Sequence, residues 1–241
     1  MRRILTSLLV ATVWIAAGSM AEATPIIQAG NLIRVGDLPG NTGGGEFQLN
    51  VVDTSNNVLW SFISFCLQRT QYIDYSNVFT VGGVNTYAKT DSASNGGNAN
   101  GLDPISFETA YLYTMFSNGT LQGYDYFGSA SSHAASADAL QYAFWMFEDE
   151  LQMDPNNYYV QLANNAVTSG AWRGIGNVRV LNMTYANGVE AQDQLGLGPA
   201  PDLQNTPVPE PASMVLLGSG LVAMVARRRR AGAKSDVRGT R

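Results

Sequence analysis

Apolar and polar residues alternate with a period of two over short runs in the first third of the chain, then switch to a helical period in the middle. The period-two runs predict strands at 26–35, 46–52 and 58–67, the last two joined by the polar turn Asp53-Thr-Ser-Asn-Asn57. Runs 72–81 and 84–89 predict a hairpin through Gly82-Gly83. Asp103-Pro104 and Asp154-Pro155 each combine a capping acid with a first-turn proline, predicting helices that end near Phe116 and Thr168. Between them, a third helix is expected over 133–152, with Leu140, Phe144, Phe147 and Leu151 in one apolar stripe. Strands at 178–185 and 188–195, turning at Asn187-Gly188, close the pattern. Strands, about three helices, then strands, with no proline-rich break, predict one α+β domain over 24–196.

The two ends follow neither period. Arg2 and Arg3 precede an uncharged run from Ile4 to Met20 and then Ala21-Glu22-Ala23, the order of a secretory signal peptide over 1–23. At the other end a proline-rich linker, 197–207, leads to Val208-Pro-Glu-Pro211 and an uncharged run, 212–226. Such a run makes a helix of about 22 Å, short of a hydrocarbon core of about 30 Å but able to insert with snorkelling arginines. Arg227 to Arg230 would stay cytoplasmic with the tail 231–241.

Charge supports that division. Five basic residues face sixteen acidic ones between Thr24 and Pro209, a net charge of −11, which repels nucleic acid. The arginine cluster is therefore a membrane-flanking feature. With 45% hydrophobic and 14% charged residues the composition is that of an extracellular β-rich protein. A single cysteine, Cys66, excludes an internal disulfide and leaves a thiol open to other chemistry.

Pro209-Glu210-Pro211, a short apolar helix and Arg227, Arg228, Arg229 and Arg230, in that order, resemble the PEP-CTERM sorting signal of Gram-negative bacteria. The resemblance covers about 208–230. It implies recognition by an exosortase-type transpeptidase, a precursor held in the inner membrane by its C-terminal helix, and release to the cell surface or extracellular matrix.

Gln141, Trp145 and Glu148 lie at i, i+4 and i+7 on the flank of the apolar stripe, so a primary amide reaches the edge of a core that must satisfy it. If Cys66 faces it, the sulfur can attack the Gln141 carboxamide, expel ammonia and leave an internal thioester. Phe65-Cys66-Leu67 with Leu140-Gln-Tyr-Ala-Phe-Trp145 resembles the thioester domain of bacterial surface adhesins. Leu140 stands where that family has threonine, and Gln68 where an acidic residue is common. The resemblance implies a covalent binder in which a surface amine or polysaccharide hydroxyl becomes linked to Gln141, with Tyr142, Phe144 and Trp145 keeping water out. Such a protein is no turnover enzyme and needs no cofactor or metal. The chemistry calls for a thiolate, yet no Lys or His adjoins Cys66 in sequence. The alternative is a non-reactive structural or carbohydrate-binding matrix protein, with Cys66 a small buried hydrophobe and Gln141 a satisfied core-edge amide.

Other candidates are weaker. His133, the only histidine, is expected in a loop at a helix start, and no Ser-His-Asp set forms around it. Glu148-Asp-Glu150 with Asp154 is expected on a solvated face. The polar run 91–101 fails as a calcium loop because Ala93 and Leu102 occupy ligand positions.

Overall fold

The computed structural model describes residues 26–89 and 101–198. The expected signal peptide, sorting signal and tail, the linker past Gly198, and all but the last residue of the polar run, lie outside these residues, and Leu197, expected to open the linker, ends the last strand instead. Among the described residues, no helix is long and apolar enough to cross a membrane.

Strands β1 (Leu32–Asp37), β2 (Phe47–Val52) and β3 (Val58–Ser64) form an antiparallel meander. β4 (Val78–Asn85) pairs with the other edge of β1, and β7 (Val178–Thr184) and β8 (Gln194–Leu197) extend the sheet in the order β3-β2-β1-β4-β7-β8. Bulges at Val51/Val52 and Val81/Gly83 add bend and twist. The sheet curls until its ends meet. Beyond β3 the chain runs on to β8, with the Leu195 N–H donating to the Phe65 carbonyl at 2.9 Å and the Leu67 N–H to that of Asp193 at 3.1 Å. Tyr113 ties the same seam, its hydroxyl lying 2.9 Å from the Ile63 carbonyl and 3.3 Å from that of Leu195.

Helices α1 (Phe107–Ser117), α2 (Ala130–Phe147) and α3 (Tyr158–Thr168) pack on the sheet and begin on the caps Ser106, Ser129 and Asn157. The sheet layer buries Leu49, Phe79, Leu181 and Met183 in one core. A second core, between sheet and helices, is built on Phe65, Phe116, Tyr113 and Phe144. Phe65 meets Phe116 edge-on at 5.0 Å and Phe144 at 5.2 Å, contacts of about 0.5–1.5 kcal/mol each beyond area burial.

The body is thus α+β, strand-rich, with three helices in its middle. Several boundaries move. Residues 72–89 are no hairpin: β4 runs straight through Gly82-Gly83, where the bulge uses the missing side chains, and β5 (Tyr87–Lys89) pairs with β6 (Leu102–Pro104). Asp103 lies in β6 rather than capping α1. Asp154 makes a turn, accepting from the Asn156 N–H at 2.9 Å, and Asn157 caps α3 instead. The middle helix stops at Phe147 because Asp149 takes φ 57°, turning the Glu150 and Leu151 amides back onto the Trp145 carbonyl. The last strand starts at Gln194 rather than 188, after an isolated bridge between Thr184 and Glu190.

Candidate functional site

Where the curled sheet closes, alternation sends Phe65 and Leu67 into the helical core and Cys66 into the sheet core. One helical turn apart on α2, Gln141 and Trp145 face the same spot. Cys66 and Gln141 are both wholly buried, and the sulfur lies 3.5 Å from Gln141 Oε1. That oxygen accepts from the Gly45 N–H at 2.9 Å and the Cys66 N–H at 3.3 Å. Gln141 Nε2 donates to the Cys66 carbonyl at 2.9 Å. The carboxamide is therefore fixed in orientation, with two backbone donors on its oxygen and a thiol beside it. Those donors are the arrangement that stabilises an oxyanion forming at that carbonyl.

The Gly45 donor comes from the glycine-rich turn before β2. Gly44 lies so close that a Cβ there would sit 2.7 Å from Trp145 Cζ2, 2.8 Å from Gln141 Cγ and 2.9 Å from Gln141 Cδ. Only glycine allows the backbone this approach. Gly44 is partly exposed, so the cover over the carboxamide on that side is one backbone thick. α2 also holds the turn at both ends. Asp138 accepts from the Asn41 N–H at 2.6 Å, and His133 Nε2 lies 2.8 Å from Glu46 Oε2. Glu46 also accepts a very short hydrogen bond from the Tyr124 hydroxyl.

Burial pushes the Cys66 thiol up to about 12, opposed by the Gly45 amide and the Trp145 indole, and the Glu150 carboxylate raises it further. The Trp145 N–H has no hydrogen-bond partner within ordinary limits, and it lies on the side where it favours a negative sulfur. An unreacted sulfur here is thus held as the thiol, not the thiolate that the chemistry called for, because a dry pocket penalises the anion more than the Gly45, Trp145 and Cys66 N–H groups favour it.

The three expected shielding side chains divide. Trp145 sits beside Cys66 in the sheet core, Phe144 is buried in the helical core, and Tyr142 is 41% exposed, touching the Trp145 ring edge-on at 6.0 Å. Glu148 is no part of a solvated face. It is buried, accepts the Ser106 N–H at 3.2 Å and hydroxyl at 2.9 Å, and burial raises its carboxyl to about 7. His133 lies in the first turn of α2 and not in a loop. Gln68 spans the seam: its Nε2 donates to Asp193 Oδ2 at 3.2 Å and its Oε1 accepts from the Asp193 N–H at 2.6 Å. Asp193 supplies a carboxylate beside the seam from β8's approach, and burial lifts it to about 6 against several hydrogen bonds. Neither Asp193 nor the Gly44-Gly45 turn stands out in the sequence as part of a site; the one available signal is the run of three glycines, Gly43 to Gly45, that ends two residues before β2. Among the described residues no cluster of three or more His, Cys, Asp or Glu side chains is placed to hold a metal ion.

Pro209, Glu210, Pro211 and Arg227 to Arg230 lie outside the described residues. No curated protein and no solved structure matches this chain. Its residues 207–230 do match the PEP-CTERM protein-sorting motif, which makes it an exported protein, formed as a membrane-anchored precursor and processed by an exosortase.

Proposed function

We propose that this protein is a covalent binder of the cell surface or matrix, carrying an internal thioester between Cys66 and Gln141. In forming it, the Cys66 sulfur bonds to the Gln141 side-chain carbonyl carbon, the bond to Nε2 breaks, and the thiol proton leaves with that nitrogen as ammonia. Coupling proton loss to departure of the amine suits a thiol whose free anion is disfavoured. The tetrahedral oxygen is held by the Gly45 and Cys66 N–H groups. Later, an amine or hydroxyl on a target surface bonds to the same carbon, the carbon–sulfur bond breaks, and its proton passes to Cys66. The site is then spent. A short C-terminal membrane helix would hold the precursor until the exosortase acts, as the sorting motif implies.

The observation that carries this proposal is a buried thiol 3.5 Å from Oε1 of a carboxamide whose oxygen already has two backbone donors. Methylamine tests it. Treated protein should gain methylamine at Gln141 and release one titratable thiol at Cys66, and Cys66→Ala and Gln141→Ala variants should do neither. Wild-type protein inert to methylamine, with a free thiol from the start, would leave a non-reactive matrix component whose Gln141 merely satisfies a core edge.

A further inference from the structure

The seam that closes at Cys66 opens again further along β3. There a cleft of about 600 Å³ lies between Trp60 to Ile63 on one side and the end of α1 with the loop before α2 on the other. Its volume is within the ordinary range for a small-ligand site. Two features set its chemistry. Trp60 and Phe62 stack on each other at 5.3 Å and 29°, an aromatic pair lining the β3 side of the cleft, and Phe127, which also lines the cleft, is 99% exposed. A fully exposed phenylalanine contributes nothing to the core, and a cleft walled with aromatic rings is a place where flat, amphipathic molecules lie. The second feature is the polar end. Glu46 and His133 both line the cleft, and the Glu46 oxygens are already met by the Tyr124 hydroxyl and by His133 Nε2. The other imidazole nitrogen has no protein partner among the described residues.

We infer that this aromatic cleft binds, non-covalently, an uncharged sugar ring of a polysaccharide. A pyranose has an apolar face of C–H bonds that packs against an exposed aromatic ring such as Phe127 and a rim of hydroxyls that both donate and accept. A wholly apolar ligand would strand the imidazole nitrogen, costing about 1–3 kcal/mol. An anionic ligand would meet the Glu46 carboxylate within a body of net charge −11. A neutral ring with hydroxyls meets the aromatic rings and the imidazole nitrogen together, and brings no charge to a carboxylate whose oxygens are already hydrogen-bonded. The inference is independent of the thioester: neither Cys66 nor Gln141 lines the cleft, although Glu46 directly follows the Gly45 donor.

The test is calorimetric titration of the full chain with cellohexaose, maltohexaose, xylohexaose and chitohexaose, with hexagalacturonate as charged comparator and decanoate as apolar comparator. At least one neutral oligosaccharide should bind, with Trp60→Ala weakening it about tenfold and Phe127→Ala at least about threefold. Phe127 is nearly all solvent-exposed, so its variant folds as wild type does. Cys66→Ser should bind as tightly as wild type, which separates this site from covalent attachment. Binding of none of the four neutral sugars, preference for hexagalacturonate or decanoate, or affinity unchanged in both aromatic variants would overturn the inference.

Discussion

Replacing Gly44 with alanine adds one methyl group at the tightest point of the candidate site. Its Cβ would stand 2.8 Å from Gln141 Cγ and 2.7 Å from Trp145 Cζ2, whereas carbon atoms in ordinary contact stand roughly 3.5–4 Å apart. Restoring contact requires the turn and the carboxamide to part by roughly 0.7 Å. Gln141 has nowhere to go without giving up the 2.9 Å bond from Gly45 or the one to the Cys66 carbonyl. Overpacking of this kind costs about 1–3 kcal/mol. The effect on bond formation should be larger, since a displacement near 1 Å costs about a hundredfold in a positioned reaction. Intact mass during expression reads the outcome: Gly44→Ala should accumulate at the full sequence mass, while wild type is one ammonia lighter. Gly43→Ala is the control. Gly43 has φ 78° and open space around its Cβ position, so alanine there adds about 1–2 kcal/mol of backbone strain without touching Gln141. It should lose stability and keep the mass deficit. A Gly44→Ala protein that matures as fully as wild type would refute the steric account, and so would a Gly43→Ala protein equally blocked.

Between pH 5 and 8 the fold should weaken as pH rises. Glu148 at about 7, and Asp103 and Asp193 at about 6, are all raised by burial, so each binds its proton more tightly folded than unfolded. The stability they contribute is full below the ordinary carboxylate range and is lost as pH climbs through the folded values, on the order of 3 kcal/mol for Glu148. Urea melts at pH 5 and 8 should show this fall, and Glu148→Gln should flatten it; stability that climbs over the same range would contradict the assignment. Tyr113→Phe removes the hydroxyl that ties β3 to β8 and should cost about 1–2 kcal/mol in the same melts, with no loss counting against the seam. Asp138→Ala frees the Asn41 end of the glycine turn and should slow the appearance of the mass deficit, while lowering stability by no more than about 1 kcal/mol, the hydrogen bond being exposed. An unchanged maturation rate would show that the turn holds itself.

Much of the body could be read along the chain because its signals are local. Alternation through 58–67 placed Cys66 opposite Phe65 and Leu67, and that split between two cores is what aims the sulfur at α2. Helical periodicity likewise put Gln141 and Trp145 on one face. What escaped were effects of partners far away in sequence. Glu148 looked solvated from its acidic neighbours, but the start of α1 covers it and Ser106 meets its carboxylate. Asp-Pro marked a helix start twice, and each time the capping residue lies further on, because Asp103 is taken into β6 and Asp154 into a turn. The role of the glycine turn is hidden in the same way, since nothing in its own sequence reveals that its backbone lies against a carboxamide almost a hundred residues on. The aromatic cleft was invisible for the same reason: Trp60, Phe127 and His133 converge only through the curl of the sheet.

The most direct test of the central claim is a peptide map of freshly purified wild-type protein under acidic, amine-free digestion, with the linked fragments sequenced in the mass spectrometer. The account predicts one cross-linked species joining the Cys66 and Gln141 peptides, one ammonia lighter than their sum and separated by hydroxylamine. Recovery of both peptides unlinked and at full mass, with Cys66 alkylated after unfolding, would contradict it.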